Sequence, residues 1–416
     1  MKSNTTKTSY FVTKCRYCGS DKLTKYISLG NQPPSNSFIA KNLIHTEVYY
    51  PLDVYLCRSC YLSQLGIVVS PKIIFDEYLY LSSSSVALKN HYAKLAQELK
   101  IKFKLKKNDI VVDIGCNDGI LLHGYDPELT RVGVEPSKVS KIAKSTGLNV
   151  IEEFFTQKTA RKIAHTYGKA KIITATNVFA HIDNTKEFTK GVYLLLDDNG
   201  VFVIEVPYII DMIDKLFFDT IYHEHLSYLS LTPLVPFFKK INLEVFDIER
   251  ISLGASGPAI RIFVGKEGNH KIKKTVTDLL SFEDKWGIKN IYRYKRFEKN
   301  VEKIKLNLWK YINNIRKKNA SLGGYGAPAK GNTLLNFFGI NRNILTYIAE
   351  TNKLKQGLLT PGSHIPIISE EKFLDLMPDY ALLLSWNYLD FFLEKSQYIK
   401  KGGKFLVPLP RPHIQK

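Results

Sequence analysis

From Lys106 onward, short apolar runs alternate with amphipathic stretches. Asp109 to Ile114, Arg131 to Glu135, Ile172 to Thr176 and Gly200 to Val206 read as strands separated by helices, the signature of a parallel doubly wound sheet. Just before them, Leu88, Tyr92, Leu95, Ala96 and Leu99 recur at helical spacing, which predicts a helix from Val86 to Lys100. Residues 266–318 carry Val301, Ile304, Leu308, Ile312 and Ile315 at three- and four-residue steps, the stripe of one long helical element. Strands near Ile344 to Ile348 and Tyr380 to Leu384 suggest a second, smaller α/β unit. The first 70 residues hold only short apolar runs such as Pro51 to Cys57, with little core of their own. The fold class is therefore α/β. The expected divisions are 1–70, 71–265, a Lys-rich helical connection at 266–320, and 321–416.

A length of 416 residues agrees with more than one core. With 44% hydrophobic and 24% charged residues, wholesale disorder, collagen and coiled coil are excluded. The formal charge of +20 invites a polyanionic partner. Half of it, however, lies in residues 266–318, where 16 Lys/Arg face 6 Asp/Glu on an element with its own apolar stripe. A solvated helix face explains that run, and no nucleic-acid partner is expected. The start of the chain lacks the apolar core of a signal peptide and no run is long enough to span a bilayer, so a cytoplasmic protein without membrane contact is expected.

Four of the five cysteines form two pairs, Cys15-Arg-Tyr-Cys18 and Cys57-Arg-Ser-Cys60, while Cys116 stands alone. Each pair can grip one side of a tetrahedral ion from a tight turn. Four thiolates leave no open position, so the expected site is structural zinc, spanned by a loop containing Pro33 and Pro34. Zinc ribbons also occur in nucleic-acid binders, so this feature alone does not choose a function.

Val111-Val-Asp-Ile-Gly115-Cys-Asn117-Asp118-Gly119 runs a strand into a glycine-bearing turn and a helix. Asn117 replaces the middle glycine of a dinucleotide fingerprint, which disfavours a pyrophosphate cradle. Glu135 closes the next strand, placed for a bidentate grip on ribose hydroxyls. Strand, glycine-rich turn, strand and acid in this order are what S-adenosylmethionine-dependent methyltransferases show. Downstream, Tyr222-His-Glu224-His225 concentrates titratable groups just past a strand that ends near Glu205. Such a cluster beyond a sheet's carboxyl edge is a candidate for proton chemistry. It lacks the spacing of a helical zinc motif.

These blocks, together with Tyr78-Leu-Tyr80-Leu-Ser82-Ser83, Asn177-Val-Phe-Ala-His181, Gly324-Tyr-Gly-Ala-Pro-Ala-Lys330-Gly-Asn332 and Pro361-Gly-Ser-His-Ile-Pro366, resemble the sugar C-methyltransferase family over nearly the whole chain. The resemblance implies an N-terminal zinc-binding domain, a central Rossmann-like methyltransferase domain and a smaller C-terminal Rossmann-like domain. It implies methyl transfer from S-adenosylmethionine to carbon 3 of a nucleotide-linked 4-keto-6-deoxyhexose, although some relatives methylate carbon 5. An RNA methyltransferase is the remaining alternative.

On the matching positions, His225 is expected to act as base, Glu224 to orient it, and Tyr222 to donate toward an enolate oxygen. His181 would lie nearby and Tyr80 at the cofactor–sugar junction. Gly115, Asn117, Asp118, Gly119, Glu135, Asn177, Tyr78 and Ser82 are expected around the cofactor, and Lys330, Asn332 and Arg261 around the substrate of a monomeric enzyme. The segment Leu253 to Arg261 departs from the family's usual glycine–serine–Leu-Arg stretch.

Overall fold

The computed structural model describes residues 8–75, 81–84, 86–254 and 257–416; Tyr78 and Tyr80 lie outside the described residues. Strands β1 (Ser9–Phe11), β2 (Leu23–Gln32), β3 (Tyr50–Cys57), β4 (Ser63–Leu65) and β5 (Ile67–Val69) form the N-terminal domain. β2, β3 and β4 run antiparallel in sequence, and β1 pairs with β5. Alternation along β3 buries Leu52, Val54 and Leu56, which join Tyr26, Ile27 and Leu29 in one core continuous with the rest of the molecule. The small domain thus gains its stability from a shared core, which an expectation based on short local runs did not foresee.

The central domain is built on β6 (Ile110–Ile114), β7 (Thr130–Val134), β8 (Asn149–Ile151), β9 (Ala170–Thr176), β10 (Leu196–Pro207), β11 (Ser227–Tyr228), β12 (Leu243–Gly254) and β13 (Gly257–Lys266). Seven of these form a sheet in the order β12-β13-β10-β9-β6-β7-β8. The expected strands are β6, β7, β9 and β10, all mutually parallel. The sheet is not parallel throughout, because β13 runs antiparallel to both β10 and β12. Two residues separate β12 from β13, too few for the crossover that parallel pairing requires. The chain enters at β6 and leaves in one direction to β7 and in the other to β9, so a crevice opens at their carboxyl ends. The helix Val86–Lys102 lays Leu88, Tyr92, Leu95, Ala96 and Leu99 on one face of this sheet, against Val111, Val203 and Phe263. β11 leaves the domain and pairs with β4, so the N-terminal sheet is completed from the central domain in the order β11-β4-β3-β2.

The Lys-rich region is two helices rather than one, Lys274–Trp286 and Ile291–Lys317. Gly287, at φ +85°, ends the first by donating its N–H to the carbonyls of Glu283 and Asp284; the Asn290 side chain caps the second. Val301, Ile304, Leu308, Ile312 and Ile315 are buried, as their spacing predicts.

The C-terminal domain contains β14 (Leu322–Tyr325), β15 (Ile348–Ala349), β16 (Ile367–Ile368), β17 (Tyr380–Leu383), β18 (Lys404–Val407) and β19 (His413–Gln415) in the order β16-β15-β14-β17-β18-β19. All pairs are parallel except β18–β19. Among the described residues no helix is long and apolar enough to cross a membrane.

Candidate active site and zinc centre

The two cysteine pairs converge. Cys15 Sγ lies 3.5 Å from Cys60 Sγ and Cys18 Sγ 3.6 Å from Cys57 Sγ, and all four sulfurs fall within 4.8 Å of one another. A tetrahedron with Zn–S bonds of about 2.3 Å has sulfurs about 3.8 Å apart, so the donor set fits zinc. Each knuckle is closed by a backbone bond, Gly19 N–H to Cys15 O and Tyr61 N–H to Cys57 O, both 2.9 Å.

At the sheet's switch point the glycine-bearing turn has the backbone it requires. Gly115 sits at φ +71°, and a Cβ there would meet Val178 Cγ2 at 2.4 Å; Asn117 and Gly119 also have positive φ. Glu135 Oε2 accepts the Asn117 N–H at 3.0 Å and Oε1 the Ser137 N–H at 2.9 Å, which fixes the carboxylate at the crevice floor. Ser82 N–H donates to Asn117 Oδ1 and Ser83 N–H to Asp118 Oδ2, both 2.9 Å, docking residues 82–84 on the turn. Asp118 Oδ1 is buried and unpaired among the described residues. Asn177 follows β9 at φ +57°, with its side chain on the Tyr92 hydroxyl at 3.2 Å. The structure thus brings together Gly115, Asn117, Asp118, Gly119, Glu135, Asn177 and Ser82. A carboxylate with spare lone pairs, a side-chain-free approach at the turn and an orphaned acceptor fit S-adenosylmethionine, with its ribose hydroxyls and its amino group.

Beyond β10 the acid–base cluster is buried rather than surface-exposed. His225 Nδ1–H donates to the Thr220 carbonyl at 2.7 Å, which leaves the lone pair on Nε2. Burial pushes its pKa down to about 4, so the ring is neutral. The His181 ring lies 5.0 Å away at 27°, and burial followed by His225 holds its pKa well below the usual value. Tyr222 packs against His225 with ring centroids 4.0 Å apart. Glu224 does not orient His225, contrary to expectation. The Thr220 carbonyl does so, while Glu224 Oε1 takes a 3.0 Å hydrogen bond from Asn36 Nδ2 of the N-terminal domain. Burial raises Glu224 to about 7. His223 turns the other way, onto the edge of Tyr50.

The C-terminal domain meets this cluster from the other side. Lys330, in the first turn of the helix Ala329–Phe338, places its ammonium 4.5 Å over the Trp386 ring. Among the described residues the group is buried without a hydrogen bond, and burial lowers it to about 8 while Asp219 raises it. Asp219 Oδ2 accepts the Trp386 indole N–H at 2.6 Å, and its Oδ1 is unpaired among the described residues. Asn332 Nδ2 donates to the Ser35 carbonyl at 2.7 Å, and its Oδ1 is likewise unpaired among them.

Arg261 stands apart from these groups. Its Nε and Nη2 pair with Glu205 at 3.0 Å, and its Nη1 with Glu98 at 3.1 Å and Glu249 at 3.0 Å. Every nitrogen is taken by a carboxylate, so the expected substrate contact is corrected to a structural ion cluster, shared on Glu205 with His91 at 2.6 Å.

Asn36 and Glu350 escaped the sequence reading, and Asp219, at the head of the acid–base stretch, was given no role in it. Glu350 follows β15 and accepts the Ala327 N–H at 2.9 Å, repeating in the C-terminal sheet what Glu135 does in the central one. The same strand, glycine turn and acid pattern could have found it. Asn36 follows Pro33-Pro34-Ser35, a stretch that reads as a spacer and carries no signal of its own.

Family models match in chain order: a zinc binding domain at residues 15–75, a methyltransferase domain at 88–248 and a C-methyltransferase C-terminal domain at 255–410. The C-methyltransferase NovU of Streptomyces niveus is 32% identical over 408 residues, covering 97% of this chain and 97% of the relative. The chain belongs to the C-methyltransferase family. Among solved structures, an S-adenosylmethionine-dependent methyltransferase from Clostridium acetobutylicum is 13% identical with a TM-score of 0.34, covering 43% of this chain and 92% of its own. The plantazolicin methyltransferase BpumL bound to SAH has 13% identity and a TM-score of 0.34, covering 42% and 82%. This C-methyltransferase therefore combines a four-cysteine zinc domain with two Rossmann-like units. The crevice around Glu135 lies within the stretch that the methyltransferase-domain model matches.

Proposed function

We propose that this C-methyltransferase methylates carbon 3, alpha to the ketone of a nucleotide-linked 4-keto-6-deoxyhexose, through an enolate. The observation that carries this reading is the bond from His225 Nδ1–H to the Thr220 carbonyl, which presents a neutral, buried Nε2 as a base. A C–H bond beside a ketone is acidic only because the charge spreads onto oxygen, so a base and a hydrogen-bond donor are both needed. His225 takes the proton, and Tyr222, against its ring, donates to the oxygen. The His181 ring stacks on this imidazole at 5.0 Å, and burial together with His225 keeps His181 neutral. S-adenosylmethionine, when bound, supplies an electrophilic methyl group. The chain's own task is to fix the sugar carbon beside it, with Lys330 on the diphosphate and Asn332 alongside. Tyr80 is assigned to the junction of the two ligands and Tyr78 to the cofactor.

The test is incubation with S-adenosylmethionine and a panel of nucleotide 4-keto-6-deoxyhexoses, followed by mass spectrometry and NMR of the product. A gain of one methyl group at carbon 3 is expected, and methylation at carbon 5 would overturn the position. In the His225→Asn variant, exchange of the α-proton with solvent deuterium should stop while the cofactor still binds. Persistent exchange would move the base to His181.

A further inference from the structure

The stretch that joins the three domains at the acid–base cluster is Gln32-Pro-Pro-Ser-Asn36, which begins with the last residue of β2. Pro33, Pro34 and Ser35 are buried. The Ser35 hydroxyl lies 3.0 Å from that of Thr333, and its carbonyl accepts the Asn332 side chain. Gln32 donates back to the Leu29 carbonyl at 2.9 Å. Two prolines in sequence limit the backbone further. Asn36 is thus held from both sides, and its carboxamide is aimed at Glu224 Oε1.

We propose that Asn36 is a positioning residue of the reaction, fixing the carboxyl of Glu224, which adjoins His225 in the chain. The inference rests on the reading of Tyr222 to His225 as the proton-handling centre. Among the described residues Asn36 is the side chain that donates to Glu224, whose second oxygen is buried and unpaired. The other titratable group that feels the charge of this carboxyl is Tyr228. The ionised form is supported by the backbone N–H of Glu224 itself and by the Asn36 side-chain N–H, so loss of Asn36 drives Glu224 further toward the protonated form. The N-terminal domain would then be a working wall of the active site as well as a zinc-stapled appendage.

The experiment uses the full-length, zinc-loaded protein with thymidine-diphosphate-4-keto-6-deoxyglucose as probe. It compares Asn36→Ala, Asn36→Asp, Glu224→Gln and the double variant Asn36→Ala/Glu224→Gln. Asn36→Asp keeps the shape while losing the donor, which covers a failure of the alanine variant to fold. We expect kcat to fall about tenfold or more in either Asn36 variant, with KM changed less than about twofold. The pH midpoint assigned to Glu224 in the kcat profile should rise, and the double variant should be no slower than Glu224→Gln. Multiplying defects in the double variant, or a change confined to KM, would overturn the role of Asn36 alone. A Glu224→Gln variant with unchanged kcat would overturn the reading of the cluster as well.

Discussion

Glu135 and Glu350 occupy the same station in two separate sheets. In each, Oε2 accepts a backbone N–H from the glycine turn of its own domain, Asn117 at 3.0 Å and Ala327 at 2.9 Å. In each, Oε1 accepts the N–H two residues downstream, Ser137 and Asn352, both at 2.9 Å. Both acids close the strand that neighbours the glycine turn, and in the central domain that pattern lines the crevice proposed for the cofactor. Glu135→Gln should weaken S-adenosylmethionine binding by about tenfold, since one charged acceptor of a ribose hydroxyl is lost. Glu350→Gln should leave it unchanged. Isothermal titration with the cofactor alone measures both; equal losses would mean that the two turns are not divided between two ligands.

The zinc domain is tied to the acid–base segment by β11, since Ser227 and Tyr228 pair with β4 and Leu226 O accepts the Leu65 N–H at 3.0 Å. Cys57→Ser removes one of four ligands and is expected to cost about 4 kcal/mol or more. Zinc content should fall below one ion per chain, and the melting temperature should drop with it. Because the segment just after His225 is a strand of this domain's sheet, kcat should fall in the same titration with chelator. Full activity in a zinc-free protein would separate the metal from the site.

The sequence made the helix Val86–Lys102 legible because its buried positions, Leu88 to Leu99, follow the helical period with no competing pattern. Strands β6, β7, β9 and β10 were legible for a similar reason, as apolar runs bounded by turns. What stayed hidden depends on partners distant in the chain. Asn36 meets Glu224 across 188 positions and Lys330 meets Asp219 across a domain boundary, and neither contact leaves a periodic trace. Arg261 misled because a motif position says nothing of the three carboxylates around it. The break at Gly287 divided one lysine-rich run into two helices, and the apolar stripe read from the sequence, Val301 to Ile315, lies wholly on the second.

Buried titratable groups in the acid–base cluster pull stability in opposite directions with pH. His223 and His225 titrate at about 4 in the folded chain through burial, against about 6.5 when unfolded. Between those values the unfolded chain binds the extra protons, so their contribution is complete above about pH 6.5 and is lost as pH falls through about 4. Glu224 is raised to about 7 by burial, so its contribution is complete below its unfolded value and is lost as pH rises through about 7. Between about pH 5 and 6, His225→Asn should flatten the acid loss of stability by about one proton, or about 1.4 kcal/mol per pH unit. Glu224→Gln should steepen it by a similar amount. Urea unfolding at stepped pH measures both slopes; identical slopes in the three proteins would contradict the burial of these groups.

Lys330 and Arg261 were both expected to meet the substrate, and their surroundings now predict different phenotypes. Among the described residues Lys330 has an ammonium with no hydrogen bond, lying over Trp386 at the edge of the acid–base segment. Lys330→Met keeps the apolar stem on the ring and removes the charge, so KM for the sugar nucleotide should rise about tenfold while kcat changes little. Burial lowers Lys330 to about 8, so the wild-type enzyme should lose substrate affinity as pH rises past that value, and the methionine variant should not. Arg261→Met instead strips Glu205, which is fully buried, of its cationic partner. That change should cost about 3 kcal/mol of stability and leave KM unchanged in the folded fraction. Steady-state kinetics and urea unfolding on the two variants separate the roles. A KM defect in Arg261→Met with normal stability would return that residue to the substrate site, because a saturated guanidinium could act there only by exchanging a carboxylate for phosphate.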